Sequence, residues 1–340
     1  MQRNLTTMRK IIFIIISISF FACSNTSNSK KPSHKLMTTS ELVQIISSDS
    51  MQGRYPGTIG FEKAVDFVEN YMSTLEIKPF INGSYRDTLS VFDAKSYNLV
   101  GVLESNKPIN DYILLGAHLD HLGAHLDPSK KGEEQSDTIY NGANDNASGV
   151  VVVLQIAKEL MKHEFDKKII IAFFTGEEYG KWGSEHLAKR LKTNKIKLSY
   201  VLNFDMVGVP QTITPKSVGM TGFYISDFAE VSNTLLNEEF VNHPNDTIDH
   251  LAFFRSDNSS FYTEYKIPSH NISTYEGRRQ YPYYHIVQDE FPKLNIQHMD
   301  TIIAKTTKLI VRLLETNSVI TLKKLDEEST DMMKYMKPSN

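Results

Sequence analysis

The sequence predicts an α/β layered fold, on two kinds of segment that alternate along the chain. Short apolar runs rich in Ile, Val and Phe, at residues 169–174 and 200–204, suit strands buried on both faces. Longer amphipathic stretches lie between them and pack helices over such a sheet. Residues 147–163 are the clearest of these, with Val150, Val153, Leu154, Ala157, Leu160 and Met161 on one stripe.

The remaining elements follow the same reasoning. A helix starts near Thr39, with Ser40 as its expected cap and Leu42, Ile45 and Ile46 at helical spacing. Residues 61–75 read as a second helix, with Ala64, Phe67, Val68 and Tyr71 on one face. Residues 53–60, between the two, read as loop. Strands are expected at 97–103 and 112–117. A polar loop over 122–142 follows, and so long a loop inside a compact domain is usually functional. Residues 181–192 and 296–314 complete the helices, the last with Ile302, Ile303, Thr306, Leu309, Ile310 and Leu313 on its buried side. Internal repeats are absent.

The 340 residues suffice for one large domain, and 40% hydrophobic content supports a sizeable core. A net charge of −3 gives no argument for nucleic-acid or electrostatic membrane partners. The amino-terminal segment differs from the rest. Arg9-Lys10, an apolar run over 11–21 and Ala22-Cys23 have the order of a secretory signal, with Met8 a second candidate start. Cys23 is the only cysteine and stands where a bacterial lipobox places its lipidated residue. The alternative is an ordinary signal peptide with an incidental cysteine. The expected organisation is a signal peptide over 1–23, a flexible tether over 24–38, one domain over 39–316 and a loose tail over 317–340. Removal or lipidation of Cys23 leaves no free thiol, which excludes disulfides and thiol catalysis. A lipid anchor on Cys23 implies an address in the bacterial cell envelope. By resemblance to bacterial lipoproteins, uncharged Ser24 implies outer-membrane sorting more than inner-membrane retention.

Five motifs carry the chemistry: GAHLD (116–120), NGANDNASG (141–149), FFTGEEYG (173–180), NFDMVG (203–208) and YYHIVQDE (283–290). Each supplies one metal-compatible side chain: His118, Asp145, Glu178, Asp205 and His285. Two imidazoles and three carboxylates suit a pair of divalent ions with one shared carboxylate. Glu177 is a carboxylate in excess of the ligand set, as a general base must be. His118, the Glu177-Glu178 pair and Asp205 each follow a predicted strand, so three strand ends converge on one edge of the sheet.

This set resembles the co-catalytic di-zinc aminopeptidase family, whose relatives include glutamate carboxypeptidase and the glutaminyl cyclases. The resemblance runs from about residue 42 to 314 and takes in MQGRYPGTIG (51–60) and RSDNSSF (255–261). It implies a three-layer α/β/α fold with a central, mostly parallel mixed sheet, and two Zn²⁺ ions per chain. It implies an exopeptidase that releases amino-terminal residues from peptides. A single-zinc glutaminyl cyclase-type acyltransferase and a carboxypeptidase on the same scaffold are the alternatives. Related enzymes often carry an inserted protease-associated domain, for which the stretch between 75 and 116 is too short.

By the same resemblance, Asp145 bridges both ions, His118 and Asp205 complete one site, and Glu178 and His285 the other. Glu177 is the base. Asp120 orients His118, with Asp257 and Asp289 as weaker outer candidates. The resemblance also implies a cis peptide at Asp145-Asn146. Tyr275, Tyr281, Tyr283 and Tyr284 cluster around His285, as packing or as an oxyanion donor. His121, His125, His163, His186, His243, His250, His270 and His298 are read as lying outside the metal site, His121 being the nearest candidate. The chain departs from the family pattern at Asn144, where Asp is common, at Asn258, where His is frequent, and at Ile286 and Glu290, where Thr is common.

Overall fold

Three adjacent strands alternate their side chains between two apolar layers, and this alternation sets the architecture. The computed structural model describes residues 36–124, 137–244, 249 and 252–324. The expected signal segment with Cys23, tether residues 24–35, His125, His250 and tail residues 325–340 lie outside them. In chain order the elements are α1 (Thr39–Ile46), α2 (Ile59–Thr74), β1 (Lys78–Pro79), β2 (Arg86–Val91), β3 (Ala94–Leu103), β4 (Tyr112–His118), β5 (Gly123–Ala124), β6 (Ile139–Tyr140), α3 (Gly149–Leu160), β7 (Lys168–Phe174), α4 (Trp182–Thr193), β8 (Leu198–Phe204), β9 (Val218–Met220), α5 (Phe228–Leu236), β10 (Val241–Asn242), α6 (Asn258–Tyr265), β11 (Ser269–Ser273) and α7 (Ile296–Glu315).

The main sheet has the order β1-β3-β7-β4-β8-β11-β9-β10, with β2 also paired to β3. Its centre, β7-β4-β8-β11, is parallel. The joins β3–β7 and β11–β9 are antiparallel, which makes the sheet mixed. Ile113, Leu115 and Ala117 of β4, with Ile169, Ile171 and Phe173 of β7, enter the core shared with α1, α2, α3, α5 and α7. Their neighbours Tyr112, Leu114, Ile170, Ala172 and Phe174 enter a second core with Leu187 and Leu191 of α4 and Phe261 of α6. Period-two alternation with apolar residues at both phases is what a strand covered on both faces requires. The expected three-layer α/β/α fold is the one observed.

Several boundaries differ from expectation for local reasons. Thr38, not Ser40, caps α1: its hydroxyl accepts from the Glu41 N–H, while the Glu41 carboxylate accepts from the Thr38 N–H, a complete capping box. Met37 belongs to the domain as well, since its carbonyl accepts from Gln155. The expected tail also begins inside the domain, where Ile320 is buried and Thr321 donates to Asp227. Strand β11 escaped notice because its sequence, SHNIS, is polar; Ser269, His270 and Asn271 are all buried.

Arg54, from the MQGRYPGTIG motif, is fully buried. Its Nε donates to the Leu119 carbonyl at 2.8 Å, Nη1 to Ile46 at 2.9 Å and Asn141 at 2.6 Å, and Nη2 to Gly142 at 3.0 Å. One guanidinium thus ties the end of α1 to the segments that follow β4 and precede α3. Burial lowers its pKa to about 10, against the raising effect of Asp289, Asp120, Asp145 and Glu178. Arg54→Met leaves four buried carbonyls without their donor. We expect it to lose about 3 kcal/mol or more in urea denaturation of the zinc-loaded protein. A loss below about 1 kcal/mol would mean that water replaces the guanidinium.

Candidate metal centre

The parallel centre of the sheet delivers four of the site residues from three strand ends. His118 closes β4, Glu177 and Glu178 occupy the turn after β7, and Asp205 follows β8. These are the carboxyl ends of neighbouring parallel strands, the usual place for a ligand in such a sheet. Asp145 comes from the irregular turn 143–148 that leads into α3, and its peptide bond to Asn146 is cis, as expected.

Polar side chains of NGANDNASG hold that turn in place by bonding the backbone of NFDMVG. Asn146 donates to the Phe204 carbonyl at 2.8 Å and accepts from the Met206 N–H at 3.2 Å. Asn144 accepts from the Gly208 N–H at 2.8 Å, and Ser148 from the Val207 N–H at 3.1 Å. Gly149 is required where the chains cross, since a Cβ there would lie 2.2 Å from the Phe204 carbonyl oxygen. From the other side, the Asp289 carboxylate accepts from the Asn144 N–H at 2.8 Å and the Asp145 N–H at 3.0 Å. Tyr281 donates its hydroxyl to Asp289 at 2.6 Å.

The side chains so placed form two groups around one carboxylate. Asp145 Oδ1 lies 3.4 Å from His118 Nε2, which is 3.6 Å from Asp205 Oδ1. Asp145 Oδ2 lies 3.1 Å from His285 Nε2, which is 3.0 Å from Glu178 Oε2. A tetrahedral zinc with bonds near 2.0–2.1 Å needs its ligand atoms about 3.3 Å apart, so these donors fit the ion. Outer partners orient them: His118 Nδ1 is 3.1 Å from the Asp120 carbonyl, and Ser256 donates to Asp205 Oδ2 at 3.0 Å.

Glu177 stands beside these donors in a cavity of about 310 Å³, also lined by Tyr275 and Tyr284. Burial pushes its pKa well above the carboxylate range, and Asp257, Glu178 and Asp205 add to this against His118. Burial opposes charge on His118, but Glu177, Asp145 and Asp205 hold it protonated well above its ordinary value. Burial also opposes charge on His285, and Asp145 and Glu178 overcome it to give about 10. In the metal-free protein the imidazoles therefore hold protons at the positions where cations fit.

The comparisons agree with this geometry. A family model described as Peptidase family M28 matches residues 98–310. The chain belongs to peptidase family M28. Among curated relatives, a "Probable zinc metalloprotease" of Pyrenophora tritici-repentis is 30% identical over 151 residues, 44% of this chain and 33% of that one. A "probable leucine aminopeptidase 2" of Aspergillus oryzae is 30% identical over 116 residues, 34% and 20% of the two chains. The chain thus spans about a third or less of the length of these relatives. The crystal structure of LapB from Legionella pneumophila shares the fold, at TM-score 0.64 and 20% identity, over 82% of this chain and 71% of that one.

Within this M28 chain, one residue, His121, stands differently from the sequence reading. His121, read as outside the metal site, is fully buried with Nδ1 2.6 Å from Glu178 Oε1. It forms a metal-compatible group with Asp145 and Glu178. Its backbone N–H donates to the Arg54 carbonyl at 3.2 Å. The signal was its place in the strand-end run HLDH, three residues after His118. Asp120 meets His118 Nδ1 through its backbone carbonyl at 3.1 Å, with its carboxylate 3.8 Å away, and that carboxylate also accepts from the Glu177 N–H at 3.2 Å and the Glu178 N–H at 3.4 Å. Of the tyrosines, Tyr284 stacks on the His285 ring at 3.8 Å, while Tyr281 and Tyr283 pack on each other at 5.3 Å. Asn258 donates to the Phe253 and Ser269 carbonyls, a structural role. The remaining described histidines bind elsewhere or pack, among them His186 near Asp87, His270 at Ser226 and His298 at the Pro215 carbonyl.

The shifts define a pH dependence. His285, raised from 6.5 to about 10, binds its proton more tightly in the fold than in the unfolded chain. Its contribution is complete below the ordinary value and is lost as pH rises through the folded one. Burial raises Asp120 from 3.8 to about 6 and Asp257 from 3.8 to about 7. Both favour the neutral acid, and they too lose stability as pH rises from the ordinary value. We expect the melting temperature of chelator-treated protein to fall steadily between about pH 5 and pH 9, and that of zinc-loaded protein to fall much less. Parallel profiles with and without zinc would contradict the metal assignment.

Proposed function

We propose that this chain is a zinc aminopeptidase that removes amino-terminal residues from peptides, with two ions per chain. Family membership supports peptide hydrolysis with zinc, and the leucine aminopeptidase name of one relative supports the amino terminus as its target. The observation that carries the reading is Asp145, whose two oxygens face two different imidazoles beside a carboxylate, Glu177, left over from both groups. In this reading Asp145 bridges, His118 and Asp205 complete one site, and Glu178 and His285 the other.

Bound zinc supplies Lewis acidity, polarising the scissile carbonyl and lowering the pKa of water. Glu177 takes the proton from the attacking water and delivers it to the leaving amine, so its carboxyl charges and discharges once per cycle. Asp120 holds the Glu177 and Glu178 N–H groups, and so fixes the base relative to the ligand. His121 holds Glu178 Oε1 and leaves Oε2 for the ion.

The test is a pair of variants assayed on peptides with free and with acetylated amino termini. Glu177→Gln should lose roughly 10²–10⁴ in kcat while keeping its zinc and its substrate binding. His285→Ala should lose zinc, measured by elemental analysis. Wild type should cleave only the free amino terminus. Equal zinc loss in both variants would show that base and ligand are misassigned.

We further propose that Cys23 carries a lipid anchor that holds the enzyme at the cell envelope, with the outer membrane as the preferred address. The basic, apolar and small-residue order of residues 9–23 supports this. Several acyl chains on one cysteine hold a protein firmly where a single chain is marginal. Cell fractionation should place wild type with membranes and Cys23→Ser in the soluble envelope fraction. Equal solubility of both would leave Cys23 as the end of an ordinary signal peptide.

A further inference from the structure

Four aromatic rings from three separate turns meet beside the Glu177-Glu178 turn. Tyr55 and Tyr179 have ring centroids 5.0 Å apart, Tyr179 and Phe92 5.8 Å, and Phe92 and Trp182 5.6 Å. The indole N–H of Trp182 donates to the Tyr179 carbonyl at 2.9 Å, which fixes the ring. Even so, Phe92 is 53% exposed and Trp182 40% exposed.

Folding alone gives little reason for either ring. Phe92 sits at the tip of the β2–β3 hairpin, closed by the Val91–Ala94 pair, with φ at 50°. Hairpin tips in the left-handed region favour Gly, Asn or Asp, and a phenylalanine there bears a backbone cost without being buried. Trp182 follows Lys181, whose φ of 61° is also left-handed. A contiguous aromatic patch that stays in water usually marks a binding surface.

The rim is continuous with the candidate catalytic turn. Tyr179 directly follows Glu178. Gly176, directly before Glu177, is closed in by the rim's own packing: a Cβ there would meet Val91 at 3.1 Å and Trp182 at 3.2 Å. None of the four aromatic residues lines the cavity that holds Asp145 and Glu177. At about 310 Å³ that cavity is at the small end of ligand sites, suited to one terminal residue and not to a whole peptide. The nearest cation of the turn faces elsewhere, since Lys181 Nζ donates to the Phe254 carbonyl at 2.6 Å and to Ser259 at 2.8 Å. The exposed surface is thus aromatic, with Asp93 at the hairpin tip as an acidic neighbour of Phe92.

We propose that Tyr55, Phe92, Tyr179 and Trp182 form a rim that binds apolar side chains of the substrate peptide beyond the scissile bond. This rests on the peptidase reading above and assigns it a substrate preference. Apolar residues at the second and third peptide positions gain contact with the rim; charged residues do not.

Trp182 is the only tryptophan of the chain and reports on the rim directly. Tetrapeptides sharing one terminal residue, with Phe or with Ser at positions two and three, would be titrated into zinc-loaded Glu177→Gln protein while indole fluorescence is followed. The Phe peptides should shift the emission and bind about three- to tenfold more tightly. In active enzyme, the ratio of kcat/KM for Phe over Ser peptides should fall toward one in Phe92→Asn, a substitution that suits the left-handed turn. Emission unmoved by peptide, together with an unchanged ratio in Phe92→Asn, would overturn the proposal. An emission shift seen only with phosphatidylglycerol vesicles would also overturn it, in favour of membrane contact. If wild type hydrolyses no peptide, the peptidase reading fails; the fluorescence titration still decides whether the rim prefers apolar peptides.

Discussion

Arg54 concentrates in one side chain the constraint on which the metal centre depends. Its guanidinium donates to four carbonyls from three segments: the end of α1, the residue before Asp120, and the pair Asn141-Gly142 before the Asp145 turn. These segments are far apart in sequence and irregular in backbone, so neither helix nor sheet bonding fixes their relative positions. A planar group with five donors does. Its charge also lies beneath Asp120, Asp145, Glu178 and Asp289, and offsets part of the cost of gathering carboxylates in a buried place. The carboxylates in turn are positioned by backbone N–H groups: Asp289 receives two from the 144–145 turn, and Asp120 two from 177–178.

Much of this was legible in the sequence, and the legible parts share a cause. Helices α3 and α7 and strand β7 carry their periodicity in apolar residues, which is what burial selects. Three of the candidate ligand residues, His118, Glu178 and Asp205, stand inside short motifs at strand ends, where sheet topology makes them converge. The illegible parts fail that condition. Strand β11 is buried with polar residues that bond its neighbours: Asn271 receives a bond from Asn203, and His270 lies 2.7 Å from Ser226. A pattern reading sees a loop there. His121 looked like one histidine among several, because its role depends on where Arg54 and Gly142 place it. Asp120 shows a finer limit: spacing put it beside His118, but not against the backbone N–H groups of 177 and 178, which its carboxylate also holds.

The polar residues of NGANDNASG and NFDMVG show how two motifs can be one structural unit. Asn144, Asn146 and Ser148 bond the backbone of 204–208 and present little to the cavity. Their identities follow from the need to satisfy buried N–H and C=O groups where an irregular turn meets a strand end. Asn serves at 144 because its amide oxygen accepts from Gly208 and needs no charge, so the departure from the acidic residue common in related chains is compatible with the turn.

The shared carboxylate has a thermodynamic consequence. Asp145 has one negative charge to divide between Oδ1, facing His118, and Oδ2, facing His285. A cation drawn to one oxygen polarises the carboxylate toward itself and changes what the other oxygen offers. Coupling between two binding events is reciprocal, so each occupancy alters the other by the same factor. In the proposed two-ion site, filling of the two groups would be one linked equilibrium, and the mixture of species at limiting metal would carry the sign of that coupling.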